Sequence, residues 1–273
     1  MVPDAPFADA RADRTAEAVA IIGGSGVYDL EGFESEGPVR VETPYGAVEV
    51  FAGRLAGRPV YFLPRHGTGH ALPPHRVNYR GNIWALRELG VTQVLATNAV
   101  GSLRYDLRPG RLVAVDQFLD FTRGRPGTFF DGSDGRVVHT DLTEPYCPRL
   151  RALIVAAARA LDLDVEEKGC YVCAEGPRYE TAAEIRFFRQ AGGDVVGMTG
   201  VPETVLAREA GLCYAAVALV TNMGAGMEPV TLRHEDVVSR MQEGAGALRQ
   251  LLTRVVALLP ATRPRDGCPC TRA

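Results

Sequence analysis

The sequence predicts a single-domain α/β fold, with a twisted, mixed β-sheet flanked by helices. Three observations carry that prediction. Apolar, β-branched runs of strand length alternate with helical patterns along almost the whole chain. With 273 residues and 46% hydrophobic content, the chain can bury one large core, and nothing in it forces a division into two. Finally, the residues that plain structure does not need collect at the carboxyl ends of strands, where open α/β sheets receive ligands. The domain is expected over residues 18–261, between a mobile tail at 1–17 and a C-terminal tail at 262–273 that carries Cys268-Pro269-Cys270.

In chain order, "VAIIGG" is a strand stopped by glycines, and "EVFAGRLAGRPVYFLP" alternates and turns like antiparallel strands. "VNYRGNIWALREL" puts Ile83, Trp84, Leu86 and Leu89 on one helical stripe, with Gly90 as the stop. "QVLATNAVGS" reads as a strand running into a small-residue loop, and "RLVAVDQFLD" as one further strand. Pro148 opens a helix reaching about Leu161, since its missing N–H costs nothing in a first turn. Thr181 and Glu184 have capping-box form ahead of the helix "IRFFRQAG". A strand "DVVGMT", a short helix "PETVLAREAG", a buried strand ending "LVTNMGAGM" and a long helix from His234 complete the chain.

Thirty basic and 33 acidic residues, spread evenly, give a net charge of −3. No basic stripe points to nucleic acid, so the expected partner is a small molecule or another protein. No apolar run approaches the roughly 18–20 residues of a membrane span, and the N-terminus lacks a signal-peptide layout. A cytoplasmic protein is expected. Among six cysteines, Cys170 and Cys173 form a C-x-x-C, but on a strand they point to opposite faces. No metal site is therefore expected; buried apolar thiols are. Cys268 and Cys270 could close a small disulfide, although free thiols suit a reducing compartment.

Five strand ends carry candidate chemistry, and a sixth ends on Asn222. "IIGGSG" offers backbone N–H groups and the Ser25 hydroxyl to an anion, as a glycine turn with no P-loop lysine. "RHGTGH" follows a strand with Arg65, a bidentate fork for an oxyanion, and His66, which titrates near neutrality. "TNAVGS" places Asn98 before small residues that permit close approach, and "AEGPRYET" and "VGMTG" end two more segments. Each alone reads as a turn or cap; six together do not.

In this order and spacing, "IIGGSG", "RHGTGH", "NYRGNIWAL", "TNAVGSL", "EGPRYET", "MTGVPE" and "VTNMGAG" resemble the trimeric purine nucleoside phosphorylase and methylthioadenosine phosphorylase family. The resemblance spans about residues 20–259. It implies a nucleoside phosphorylase-like fold and attack of phosphate on C1′ of a purine nucleoside, without metal or organic cofactor. Phosphate would be held by Ser25, Arg65, His66, Asn98, Ala99 and Thr199, with Asn222 and His66 in the catalytic role. Met198 would pack under the ribose and Tyr179 against the base, while His139 would reach a neighbouring subunit's site in a homotrimer with shared active sites.

Within that family, 6-aminopurine enzymes resemble Asp-x-Asp where this chain has Asn222-Met223-Gly224, so Gly224 marks a missing carboxylate. Glu180 matches a glutamate that accepts from N1–H of a 6-oxopurine. Both positions imply hypoxanthine or guanine as the base. A site built to hydrogen-bond one edge rejects the other, because its buried partners are left unpaired. At the 5′ end, His234 matches a donor to a 5′-hydroxyl, whereas Val237 and Val238 suit a methylthio group. Inosine, guanosine and 5′-methylthioinosine all stay open. The rival readings are a methylthioadenosine phosphorylase and a non-catalytic purine-binding trimer.

Overall fold

The computed structural model describes residues 18–23, 32–133, 135–229, 234–260, 268 and 270. The 1–17 tail, Ser25, the His234 side chain and most of the 262–273 tail lie outside the described residues. Strand β1 (Ala18–Gly23) runs parallel between β4 (Arg58–Pro64) and the long β5 (Val91–Ser102). An antiparallel meander adds β2 (Glu34–Val41) and β3 (Val48–Leu55) outside β4. On the other edge of β5 lies parallel β11 (Cys213–Met223), followed by β6 (Leu112–Ala114) and β8 (Val165–Glu166). β10 (Val195–Gly197) pairs antiparallel with the end of β5 and leads to β9 (Cys170–Ala174) and β7 (Gln117–Phe121). Among the described residues this makes one mixed sheet of 11 strands.

Strand alternation feeds two cores. Ile22, Ala96, Ala218 and Val220 pack toward α1 (Tyr79–Glu88) and α4 (Gly200–Glu209). Their neighbours Ile21, Leu95, Val217 and Leu219 pack toward α2 (Pro148–Ala160) and α5 (His234–Leu258). A period of two on strands buried on both faces explains why these runs read as continuously apolar. A smaller cluster seats Ile185 and Phe188 of α3 (Ala182–Gln190) on Val172, Val196 and Met223. The capping box forms as read: the Thr181 hydroxyl accepts from the Glu184 N–H at 3.1 Å, and the Thr181 N–H donates to the Glu184 carboxylate at 2.7 Å. In β9, Cys173 is buried and its thiol donates to the Val201 carbonyl, while Cys170 is partly exposed.

Two expectations are corrected. "RLVAVDQFLD" is two strands, because the chain changes partners: Val115 N–H donates to the Ala216 carbonyl, and Asp116 N–H to that of Gly169. The small residues after Asn98 are strand and not loop, because β11 pairs with β5 as far as Ser102.

The way β5 is shared positions the site. One edge pairs with β11 along its length, while the other pairs with β1 only up to Ala96 and with β10 only from Gly101. Between those points β1 and β10 splay apart, and residues 97–100 face the gap. Gly197, at the end of β10, rests on Tyr171: a Cβ there would lie 2.2 Å from the Tyr171 hydroxyl. That hydroxyl accepts the N–H groups of Thr199 and Gly200 at 3.2 and 3.3 Å, so it cannot move freely. Gly197→Ala is expected to destabilise by about 1–3 kcal/mol or more, the range for overpacking a filled interior, measured as a lower midpoint in urea unfolding.

Candidate active site

The gap opens into a cleft of about 370 Å³. It gathers ten of the candidate residues from six separate stretches of chain: Arg65, His66, Asn98, Ala99, Tyr179, Glu180, Met198, Thr199, Asn222 and Val237. Such convergence at the carboxyl ends of β4, β5, β10 and β11 follows from the splaying of the sheet. Among the described residues, Val238 and two further candidates do not line it. Gly224 is packed away, since a Cβ there would meet the Ser102 carbonyl at 3.0 Å and Ile185 at 3.1 Å. His139 is exposed and lies outside this chain's own cleft. His70, Pro74, Pro177, Val196 and Thr221 also line the cleft without having been singled out.

At the floor, Arg65 is 1% exposed and forks onto Glu203, which is fully buried. Its Nε and Nη2 donate to the two Glu203 oxygens at 2.7 and 2.8 Å, and Nη1 donates to the Thr97 carbonyl at 2.8 Å. The Tyr214 hydroxyl adds a third donor to Glu203 at 2.7 Å. Burial works against the guanidinium charge, but the adjacent carboxylate outweighs it and holds Arg65 above its ordinary range. A guanidinium has five N–H groups, so one on Nη1 and one on Nη2 stay available to a ligand. Glu203 was legible only as part of "MTGVPE"; nothing in its local pattern marks it as the partner of a residue 138 positions earlier.

His66 is neutral at physiological pH. Burial, and then the neighbouring Arg65, bring it down to about 4. Its Nδ1 lies 2.7 Å from the Leu72 carbonyl, which can only accept, so the proton sits on Nδ1 and Nε2 carries a lone pair. The His70 ring stacks on it at 4.1 Å. Beside them, Asn98 Nδ2 donates to the Thr199 hydroxyl at 3.1 Å, leaving that hydroxyl's own proton to donate elsewhere. Asn98 Oδ1 is buried with no hydrogen-bond partner.

Across the cleft, Glu180 Oε1 is also buried without a partner, and burial raises the pKa of its carboxyl. Asn222 is fixed by its neighbours: Nδ2 donates to the Met223 carbonyl at 2.9 Å, and Oδ1 accepts from the Thr221 hydroxyl at 2.8 Å. The carbonyl contact sets which end of the amide is nitrogen and leaves one N–H free. Gly101 allows this packing, because a Cβ there would stand 3.1 Å from Nδ2. Arg125, another residue that local pattern does not mark, is 3% exposed and donates to the carbonyls of Met198, Val201 and Glu175 at 2.8, 3.0 and 2.6 Å. It locks together the two loops that carry Met198 and Tyr179.

Removing Glu203 strands a buried cation. Glu203→Ala is expected to cost about 3–5 kcal/mol in equilibrium unfolding, with Tyr214→Phe costing about 1.5–3 kcal/mol for one lost hydrogen bond to a buried carboxylate.

The chain matches the model of the phosphorylase superfamily over residues 18–257. It is 51% identical over 255 residues to the 6-oxopurine nucleoside phosphorylase of Pyrococcus furiosus, covering 92% of this chain and 96% of that one. It is 48% identical to a probable S-methyl-5′-thioinosine phosphorylase of Methanopyrus kandleri, covering 93% and 96%. Among solved structures, methylthioadenosine phosphorylase from Schistosoma mansoni in complex with adenine superposes with a TM-score of 0.86 at 38% identity, covering 90% and 93%. A family model spanning most of the chain, a shared fold, and a cleft built from the family's strand ends lead to one conclusion: the chain belongs to the phosphorylase superfamily.

Proposed function

We propose that this enzyme catalyses phosphorolysis of 6-oxopurine nucleosides, giving a free purine base and a pentose 1-phosphate. A phosphate oxygen bonds to C1′ as the C1′–N9 bond breaks, and the electron pair of that bond goes to the departing purine. Relatives at similar identity carry names for 6-oxopurine, methylthioinosine and methylthioadenosine substrates, so the base preference has to come from the cleft. The observation that carries it is the unpartnered, buried oxygen of Glu180. A 6-oxopurine brings an N1–H to that acceptor; adenine brings a lone pair and leaves two acceptors opposed.

Phosphate takes the other end. The two remaining Arg65 N–H groups, the Thr199 hydroxyl proton and the Ala99 backbone donate to its oxygens, with Ser25 assigned to the same group by the resemblance. Neutral His66 presents Nε2 as an acceptor, which suits a protonated phosphate oxygen, and Asn98 Oδ1 accepts from a substrate hydroxyl. This arrangement holds an anion by aimed dipoles and hydrogen bonds more than by excess charge, because Glu203 balances Arg65. Met198 supports the ribose. Asn222 directs its free N–H at N7 as negative charge gathers on the purine. His139 would serve the adjoining subunit of a cytoplasmic homotrimer.

The 5′ group is read by a panel of inosine, adenosine and their 5′-methylthio forms, each with and without phosphate. Hypoxanthine release well ahead of adenine release supports the assignment; equal or faster adenine release overturns it. Two variants test the mechanism behind the preference. Asn222→Asp sets a carboxyl oxygen against the Met223 carbonyl, which favours the protonated acid, so 6-oxopurine turnover should fall and relative 6-aminopurine activity rise. Because burial raises the Glu180 pKa, Glu180 protonates at higher pH than an ordinary glutamate and then becomes a donor suited to adenine N1. The ratio of inosine to adenosine kcat/KM should therefore drop on acidification, and Glu180→Gln should flatten that dependence. A ratio insensitive to pH and to both substitutions would remove Glu180 and Asn222 as readers of the base.

A further inference from the structure

Four cysteines from three distant stretches of the chain meet at the end of β11 opposite the cleft. Cys147 precedes α2, Cys213 opens β11, and Cys268 and Cys270 come from the C-terminal tail. All four are buried free thiols. Their sulfurs lie within 4.8 Å of one another, with Cys147 and Cys213 at 3.8 and 3.6 Å from Cys268. A zinc ion with four thiolates at about 2.3 Å has sulfurs about 3.8 Å apart along each tetrahedral edge, so little movement separates this cluster from a complete shell.

The frame around the cluster is rigid. Cys147 N–H donates to the Tyr214 carbonyl at 2.7 Å, which fixes the first two ligands against each other through the backbone. Cys147 also stands at the N-cap of α2, a helix of 13 residues whose positive end favours the negative charge of a thiolate cluster. The tail cysteines pack into the same core as Leu150, Leu251 and Val255, although the tail's other residues lie outside the described structure.

We propose that Cys147, Cys213, Cys268 and Cys270 form a tetrathiolate site for a single zinc ion that fastens the C-terminal tail to the core. Binding releases the four thiol protons to solvent and involves no change of oxidation state. The role is structural. Four protein ligands leave no open position for a substrate, and β11 separates Cys213 from Asn222 by roughly 30 Å at a strand rise of about 3.3 Å per residue. Metal bound only by the folded chain stabilises it by linkage.

The test is elemental analysis of the intact protein, purified from zinc-containing medium with reductant and without chelator. One zinc per chain is expected. Replacement by Co²⁺ should give the intense visible and near-ultraviolet absorption of tetrahedral cobalt–thiolate coordination. Cys268→Ser with Cys270→Ser should lose the metal and lower Tm while leaving kcat/KM for phosphorolysis unchanged, because neither residue belongs to the cleft. A metal-free chain with all six thiols reactive after unfolding overturns the proposal. So does a chain with two disulfides, seen as the loss of four hydrogens in the intact mass. Should the double variant fail to fold, zinc content and the cobalt spectrum of the unaltered protein decide.

Discussion

The buried ion pair between Arg65 and Glu203 is the constraint on which the site depends. It joins the residue after β4 to helix α4, and through Thr97 and Tyr214 it draws in β5 and β11. Two charges removed from water this completely are tolerated only when each finds its partners, and here Glu203 accepts from Arg65 and Tyr214 in good geometry. The same pair explains why Arg65 reaches the cleft with only two spare N–H groups. Arg65 therefore brings two aimed N–H groups to the cleft and little net charge.

The cleft is also a place of deliberate incompleteness. The Thr181 capping box closes its hydrogen bonds on both sides and Arg125 donates to three carbonyls, whereas the buried side-chain oxygens without a partner among the described residues both lie in the cleft. In the cleft, Asn98 Oδ1 and Glu180 Oε1 are buried without donors. Burial without a partner carries a free-energy cost that an incoming donor relieves. Asn222 differs in kind: it is held on both ends and has one N–H to spend, which favours a donor role over that of a flexible reader.

The sequence carried most of the site because its signals are local. A strand followed by Arg-His or by Met-Thr, or one carrying Thr-Asn-Ala, is a short pattern, and the sheet brings them together because β4, β1 and β5 run parallel while β10 runs back antiparallel against the end of β5. Signals that depend on distant partners were missed. Glu203 and Arg125 are defined by what they touch, and "RLVAVDQFLD" divides because its two halves pair with different strands. The cysteines teach the same lesson: C-x-x-C spacing singles out Cys170 and Cys173, which a strand turns to opposite faces, whereas the thiols that converge are Cys147, Cys213, Cys268 and Cys270. Gly224 marks the absent carboxylate in sequence, yet in space it packs on Ser102 and Ile185, so an aspartate there would strain this backbone before it reached a base.

The sequence by itself determined the α/β class, the strand ends that meet at the cleft, the capping box at Thr181 and the presence of Asn222-Met223-Gly224 where the resemblance would otherwise put two aspartates. These follow from periodicity, turn chemistry and ordered motifs, all of which act over a few residues. Only the tertiary structure decided that β1 and β10 part along β5 to open the cleft, that Arg65 is neutralised by Glu203, and that His66 is an uncharged acceptor. Each of these rests on burial and on partners brought together from distant parts of the chain, and pairing across such separations is set by packing, which no local stretch of sequence encodes.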